Sequence, residues 1–318
     1  MDRLRILITG AAGNLGSRLA RHLVPTGHEL RLMVHRTPLP VELRMAPNVG
    51  TVMADLGRPE TLPAAVAGID VVVHFAGVLF APRPASFLPR TNTQWFSNLL
   101  EAALAAGVRR VILVSFPHVE GPTTPDAPAT GRLDRVPISV HARTRLEEER
   151  LLLERTRGTE TVPVILRVGA VYGRGILMIE GARWLARRRM LGVWREPTMI
   201  QLVSTEDFLT ATRAAIERPG VNGIYHIGDE KPVTLQEFLD AACRTWRLPP
   251  PWRMPLWMIY SAATLCEAGA SVTGQASPLT RDFIDIGRVS YWGDTRRARE
   301  ELIPTLRYPT YEDGLNTL

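Results

Sequence analysis

The apolar positions of this chain follow two alternating rhythms. Short, largely apolar runs such as Ile6-Leu7-Ile8, Leu30-Arg31-Leu32-Met33-Val34, Asp70-Val71-Val72-Val73 and Val111-Ile112-Leu113-Val114 read as strands buried on both faces. Between them, apolar residues return every three or four positions, as at Leu19, Leu23 and Val24, and stripe one side of a helix. The pattern predicts strands near 4–9, 30–34, 49–53, 70–75, 110–115 and 163–168, and helices near 14–26, 60–67, 91–106 and 140–157. That alternation builds an α/β fold with a doubly wound parallel sheet. After residue 173 it lapses, except for a strand near 224–227 that returns to the sheet. A helix near 234–246 opens with Thr234, and Glu237 completes a capping box. Residues 1–173 are thus expected to form the sheet domain, and 174–318 mainly a smaller C-terminal lobe. Gly121 to Pro137 reads as a loop, and Pro249-Pro250-Pro251 as a stiff connector.

The first strand runs into Thr9-Gly10-Ala11-Ala12-Gly13-Asn14-Leu15-Gly16. Glycines at i, i+3 and i+6 allow a tight turn, close approach of a pyrophosphate to the backbone, and close helix–strand packing. The new helix aims its leading N–H groups and its dipole at the phosphates. The turn therefore points to a dinucleotide on a Rossmann-type sheet, with Gly10, Ala12, Gly13, Asn14, Leu15 and Gly16 around the pyrophosphate. The second strand ends at His35-Arg36, where an NAD site usually carries an acid for the ribose. Arg36 suits a 2′-phosphate, so NADP is expected, with NAD as the alternative; its plainer role is a solvated loop residue. Asp55, followed by Leu56, is placed to accept from the adenine amino group. The fourth strand closes in His74-Phe75-Ala76-Gly77, where Phe75, Ala76 and Gly77 would lie along the cofactor.

With Asp55-Leu56, Val72-Val73-His74-Phe75-Ala76-Gly77 and Asn92, this turn resembles the extended short-chain dehydrogenases/reductases of the epimerase/dehydratase type. Leu166-Arg167-Val168-Gly169-Ala170-Val171-Tyr172-Gly173, Gly223-Ile224-Tyr225-His226-Ile227-Gly228 and Tyr311-Glu312-Asp313-Gly314-Leu315 extend the likeness along essentially the whole chain. The resemblance implies a cofactor contact for Asn92. It also implies a catalytic Ser or Thr, a Tyr, and a Lys four residues after it. This chain departs there. Counting back from Gly121, the Ser position falls on Phe116, while His141 and Arg145 stand where Tyr and Lys belong. Lys231 is the single lysine, and no tyrosine precedes Tyr172, so no shift of register restores the pair. His141 and Arg145 share a helix face. Histidine can exchange a proton near neutrality, whereas arginine can only hold charge and donate hydrogen bonds. Ser115 and His118 flank the missing Ser and are the other catalytic candidates. The alternative is a retired site with a polar helix face.

Charge and composition narrow the partners. The formal net charge is +6, but 38 Lys+Arg with one lysine is an arginine bias rather than a nucleic-acid surface. Arg183-Trp184-Leu185-Ala186-Arg187-Arg188-Arg189 reads as a solvated helix face. Cys243 and Cys266 make neither a disulfide framework nor a metal set, and the N-terminus enters a strand directly, so a reducing, cytoplasmic setting is expected. Pro255 to Cys266 is too short to span a membrane and reads as a helix over the substrate cleft, with peripheral membrane contact as the alternative. Thr198 to Asp207 lacks the arginine with which nucleotide-sugar enzymes of the family clamp a diphosphate; Arg174 and Arg195 are only nearby. Val78-Leu79-Phe80-Ala81-Pro82 and the Trp252–Trp257 region are apolar, either as core or as walls for a hydrophobic substrate. The expected function is an NADP(H)-dependent oxidoreductase acting on an apolar small molecule, with a homodimer left open. A sugar-nucleotide epimerase/dehydratase and a non-catalytic NADP(H)-binding sensor or scaffold are the alternatives.

Overall fold

The computed structural model describes residues 3–77, 83–273, 277 and 279–318, and the loop Val78-Leu79-Phe80-Ala81-Pro82 lies outside them. Among the described residues one seven-stranded parallel sheet dominates. Its strands are β1 (Arg5–Thr9), β2 (Glu29–Val34), β3 (Val49–Met53), β4 (Val71–His74), β5 (Arg110–Ser115), β6 (Val162–Val168) and β7 (Gly223–Ile227), in the order β7-β6-β5-β4-β1-β2-β3. The chain leaves β1 toward β2 and β3, then crosses back to β4, so the winding reverses between β1 and β4. Sheets of this kind bind ligands at the carboxyl ends of the strands beside that reversal. Register places Thr9 opposite His74 there.

The helices that bear on the site are α1 (Asn14–Leu23), α2 (Trp95–Ala105), α3 (Val140–Arg155), α4 (Thr205–Glu217), α5 (Leu235–Thr245), α6 (Leu256–Thr273) and α7 (Arg281–Gly287). Because strand side chains alternate, Ile6 and Ile8 enter one apolar layer with Leu19, Leu23, Phe208 and Ala211, while Leu7 enters the other with Phe96, Leu99 and Leu152. The first layer also takes in Ala298, Leu302, Ile303 and Leu306, so residues beyond 173 supply much of one face of the sheet.

Local chemistry trims several elements. After Leu23, Pro25 lacks the N–H that would continue α1, and Val24–Thr26 tighten into a 3-10 turn. Pro89–Gln94, with Asn92 inside, wind as a π-helix before α2. Thr234 accepts from the Glu237 N–H at 3.1 Å and donates its own N–H to the Glu237 carboxylate at 2.9 Å, closing the capping box of α5. Helix α6 continues past Cys266 to Thr273 and buries Ile259 and Ala263 against Val193, Trp194 and Ile284. Its Trp257 and Leu265 are exposed, as is Trp252. No helix there is long and apolar enough to cross a membrane.

Candidate active site

The three glycines have separable roles. Gly10 sits at φ +67°, and a Cβ on it would lie 2.9 Å from the Ala76 nitrogen. A Cβ on Gly16 would lie 2.4 Å from the Gly10 carbonyl oxygen, inside any tolerable contact. Gly13, whose N–H donates to that same oxygen at 2.8 Å, is exposed, and a Cβ on it would meet one atom at 3.0 Å. Gly10 and Gly16 are thus demanded by packing, and Gly13 by the open approach to the backbone. No side chain caps the N-terminus of α1, so its leading donors stay available. Ala12 and Leu15 are half-buried beside the turn. Asn14 is engaged elsewhere: its amide donates to the Gly175 carbonyl at 2.8 Å and accepts from the Leu177 N–H at 3.3 Å.

Along the same edge of the sheet, Arg36 is exposed and has no ion pair among the described residues. Asp55 accepts from the Gly57 N–H at 2.8 Å and lies 3.3 Å from His35 Nε2. Leu56 is buried. Phe75 and Ala76 are half-buried, and Gly77 is exposed. An uncapped helix end, a turn with no room for side chains, and an unpaired arginine beyond β2 together fit a dinucleotide phosphate chain.

The other half of the site hangs on α3. Ser139 caps this helix by accepting from the Ala142 N–H at 3.0 Å. His141 Nδ1 lies 2.7 Å from Asp282 Oδ2, and Asp282 Oδ1 accepts from the Val140 N–H at 2.9 Å. One turn on, Arg145 donates to Glu148 at 2.5 Å, and its Nη2 lies 3.3 Å from where a Gly77 Cβ would be. The structure therefore brings Arg145 beside Gly77, with Glu148 as its partner. Burial pushes the Glu148 carboxyl up to about 7 against the pull of Arg145. Asn92 is buried and donates to Thr144 at 3.1 Å, which ties the π-helix to α3; its Oδ1 is buried without a partner among the described residues.

Ser115 and His118 do not join this group. The Ser115 hydroxyl is buried and donates to Glu149 at 2.5 Å, part of a network in which the fully buried Arg167 bridges Glu149 and Glu120. His118 packs 4.1 Å from the Tyr291 ring centroid, and burial pushes its imidazole down to about 3, so it carries no spare proton near neutrality. Burial, then the charge of Arg145, does the same to His74, whose Nδ1 is 2.8 Å from the Thr9 hydroxyl. Beside His118 a small cavity of about 30 Å³ is lined by apolar residues, among them Val136, Ile138 and Ile286, together with Ser139 and Asp285. Asp282 and Glu148 were absent from the sequence-level candidates. Thr280 caps α7 by accepting from the Phe283 N–H at 3.2 Å, a local signal for that helix, but nothing in spacing links Asp282 to His141.

Three comparisons extend this geometry. The family model described as "NAD dependent epimerase/dehydratase family" matches residues 6–228. The chain is 29% identical to a ceramide reductase of Caulobacter vibrioides, over 86% of this chain and 80% of that protein. It is 28% identical to a 2-alkyl-3-oxoalkanoate reductase of Stenotrophomonas maltophilia, over 99% and 98%. Its fold matches that of a UDP-glucuronic acid 4-epimerase from Bacillus cereus, solved with UDP-glucuronic acid and NAD, at a TM-score of 0.74. That match covers 99% of this chain and 97% of the other at 19% identity.

Proposed function

We propose, from the premise that this chain belongs to the NAD-dependent epimerase/dehydratase family, that it is an NADP(H)-dependent reductase of a carbonyl on an apolar small molecule. The observation that carries the reading is the pairing of His141, on a carboxylate, with Arg145, beside Gly77, at the positions of the family's Tyr and Lys. The names of the two reductase relatives support the substrate class.

In this proposal the backbone of Gly13 and the N-terminus of α1 hold the pyrophosphate, and Arg36 takes the 2′-phosphate. Phe75, Ala76 and Gly77 carry the cofactor along the end of β4. A bound nicotinamide supplies the hydride. His141 gives the proton to the carbonyl oxygen, and Arg145 steers the ribose through its donors without exchanging protons. Ser115 and His118 are assigned no chemical step.

The deciding experiment follows NADPH consumption by the purified protein against long-chain 3-oxoacyl, hydroxy-ketone and steroid-like ketones. Turnover of at least one is expected, with NADH the poorer donor. Stoichiometric NADPH binding without turnover on the whole panel would favour a sensor or scaffold. Saturable micromolar binding of a UDP- or GDP-sugar would favour an epimerase or dehydratase instead. Binding of that kind is not expected, because no arginine in Thr198–Asp207 awaits a desolvated diphosphate.

A further inference from the structure

We infer that Asp282 is the positioning carboxylate of His141, so that the unit handling the proton is a His141–Asp282 dyad joined across 141 positions of chain. The inference rests on the proposed role of His141 as acid/base. Both side chains are largely withdrawn from water, at 12% and 8% exposure, so the contact is not a screened surface pair. The carboxylate is used twice: Oδ2 faces His141 Nδ1 at 2.7 Å, and Oδ1 accepts from the Val140 N–H at 2.9 Å. One rigid group thereby fixes both the imidazole and the first turn of the helix that carries it.

Among the described residues, the neighbouring charges on α7 and α3 have partners of their own. On α7, Arg281 is held by Glu267 at 2.9 Å, and Asp285 takes the Tyr260 hydroxyl. On α3, Arg145 is matched by Glu148. Asp282 is therefore the acid on α7 that meets the imidazole.

An ionised carboxylate can only accept hydrogen bonds, so Nδ1 must donate, and the neutral ring is held as the Nδ1–H tautomer. Exchange with substrate then runs through Nε2. With a reduced nicotinamide bound as hydride donor, hydride would add to the carbonyl carbon as the C=O π bond breaks, and the oxygen would take the Nε2 proton of doubly protonated His141, leaving the ring neutral with its Nδ1–H still on Asp282; water would then return a proton to Nε2. In serine proteases, replacing the corresponding carboxylate by an amide keeps the geometry but enforces the wrong tautomer. Where the family uses a lysine to tune a tyrosine, this chain uses a carboxylate from its C-terminal portion to orient a histidine.

A competing explanation gives Asp282 only the helix-capping role, and Asp282→Asn separates the two. The amide oxygen can still accept the Val140 N–H, while its NH2 forces His141 Nδ1 to become an acceptor. Full-length protein labelled with 15N-histidine is examined by long-range proton–nitrogen NMR, with His141 assigned from the His141→Gln spectrum. The wild type should show Nδ1–H, and Asp282→Asn should show Nε2–H with a melting temperature within a few degrees. The variant's kcat should fall roughly 10²–10⁴-fold with KM changed less than about threefold. An Nε2–H tautomer in the wild type overturns the inference without any variant, so a misfolded Asp282→Asn leaves it testable. An identical tautomer in both proteins, or a kcat within about threefold, also overturns it. Nδ1–H in the wild type with His141→Phe fully active overturns the proton-transfer role instead and leaves Asp282 a cap. The tautomer needs no substrate, so it fails or holds separately from the reductase reading.

Discussion

The two ends of the candidate cleft satisfy their constraints by different means. At the glycine turn the constraint is volume: Gly10 lies against Ala76, and Gly16 against the Gly10 carbonyl, with no space for a methyl group. At the N-terminus of α3 the constraint, on the proposed function, is proton chemistry, and side chains would meet it: His141 on Asp282 and Arg145 on Glu148. A steric requirement has one solution, because glycine alone lacks a Cβ. A proton donor needs reach, orientation and a suitable titration range, which several residue types provide. The first end is therefore readable as a motif, and the second can change residues while the fold stays constant.

The harshest test of that contrast is Gly16→Val. Its Cβ would start 2.4 Å from backbone that cannot withdraw, so dinucleotide binding should vanish and the melting temperature should fall steeply. Gly13→Val should instead melt within several degrees of wild type while losing saturable NADPH binding. Normal binding in Gly13→Val would show that the phosphates lie elsewhere. A Gly16→Val variant with wild-type stability and affinity would break the contrast itself. Circular dichroism and calorimetric titration read both.

At the other end, His141→Phe keeps an aromatic ring of similar reach but removes both nitrogens. Turnover should fall roughly 10²–10⁴-fold, the range for a positioned general acid, with NADPH affinity nearly unchanged. Arg145→Ala should weaken both binding and turnover, because its guanidinium reaches the Gly77 edge. If the double variant His141→Tyr with Arg145→Lys gains activity that the parent lacks, the site is retired. Full activity in His141→Phe would send the proton role elsewhere; His118, neutral through burial, is poorly suited to take it.

How much could be read in advance follows the same division. The sheet and its winding were legible because buried parallel strands are largely apolar runs, and the glycine turn because its spacing is local. Helix ends were less so: the period carried α1 to residue 26, whereas Pro25 stops it at Leu23. The proposal that His141 and Arg145 stand in for the Tyr and Lys rests on register along the sequence. Their partners were less visible, for different reasons. Glu148 is three residues from Arg145, but Glu147, Glu148 and Glu149 look alike until the helix buries two of them. Asp282 comes from a distant helix, and only tertiary packing joins it to His141.

A smaller effect probes the far end of the cofactor edge. Arg36 is exposed and has no ion pair among the described residues, so a charge-assisted contact with a 2′-phosphate would not first have to break one of these. Arg36→Ala should cost roughly 1.5–3 kcal/mol of NADPH affinity and leave NADH affinity alone. Equal affinities of the parent for the two cofactors, or an unchanged preference in the variant, would remove the NADP assignment while leaving the glycine turn intact.

The gentlest test asks where the pH sensitivity of folding originates. Glu148 is raised from the ordinary carboxylate value to about 7, first by burial, with Arg145 opposing. Between about 4.5 and 7 the folded chain therefore holds this proton more tightly than the unfolded chain, and stability falls as pH climbs through that window. Glu148→Gln removes the titration. It also leaves Arg145 without its acid, but that penalty is nearly constant with pH. The comparison is thus the change between pH 5 and pH 8, not the stability at one pH. Wild type should lose on the order of 1–2 kcal/mol more than the variant across that range, a difference of a few degrees in melting temperature. His74 and His118, both lowered to about 3, act in the opposite direction below about 6.5, as folded-state protons become harder to add. They are present in both proteins and largely cancel. Parallel pH profiles for the two would mean that Glu148 is ionised throughout, and that the α3 end of the cleft is held by an ordinary ion pair.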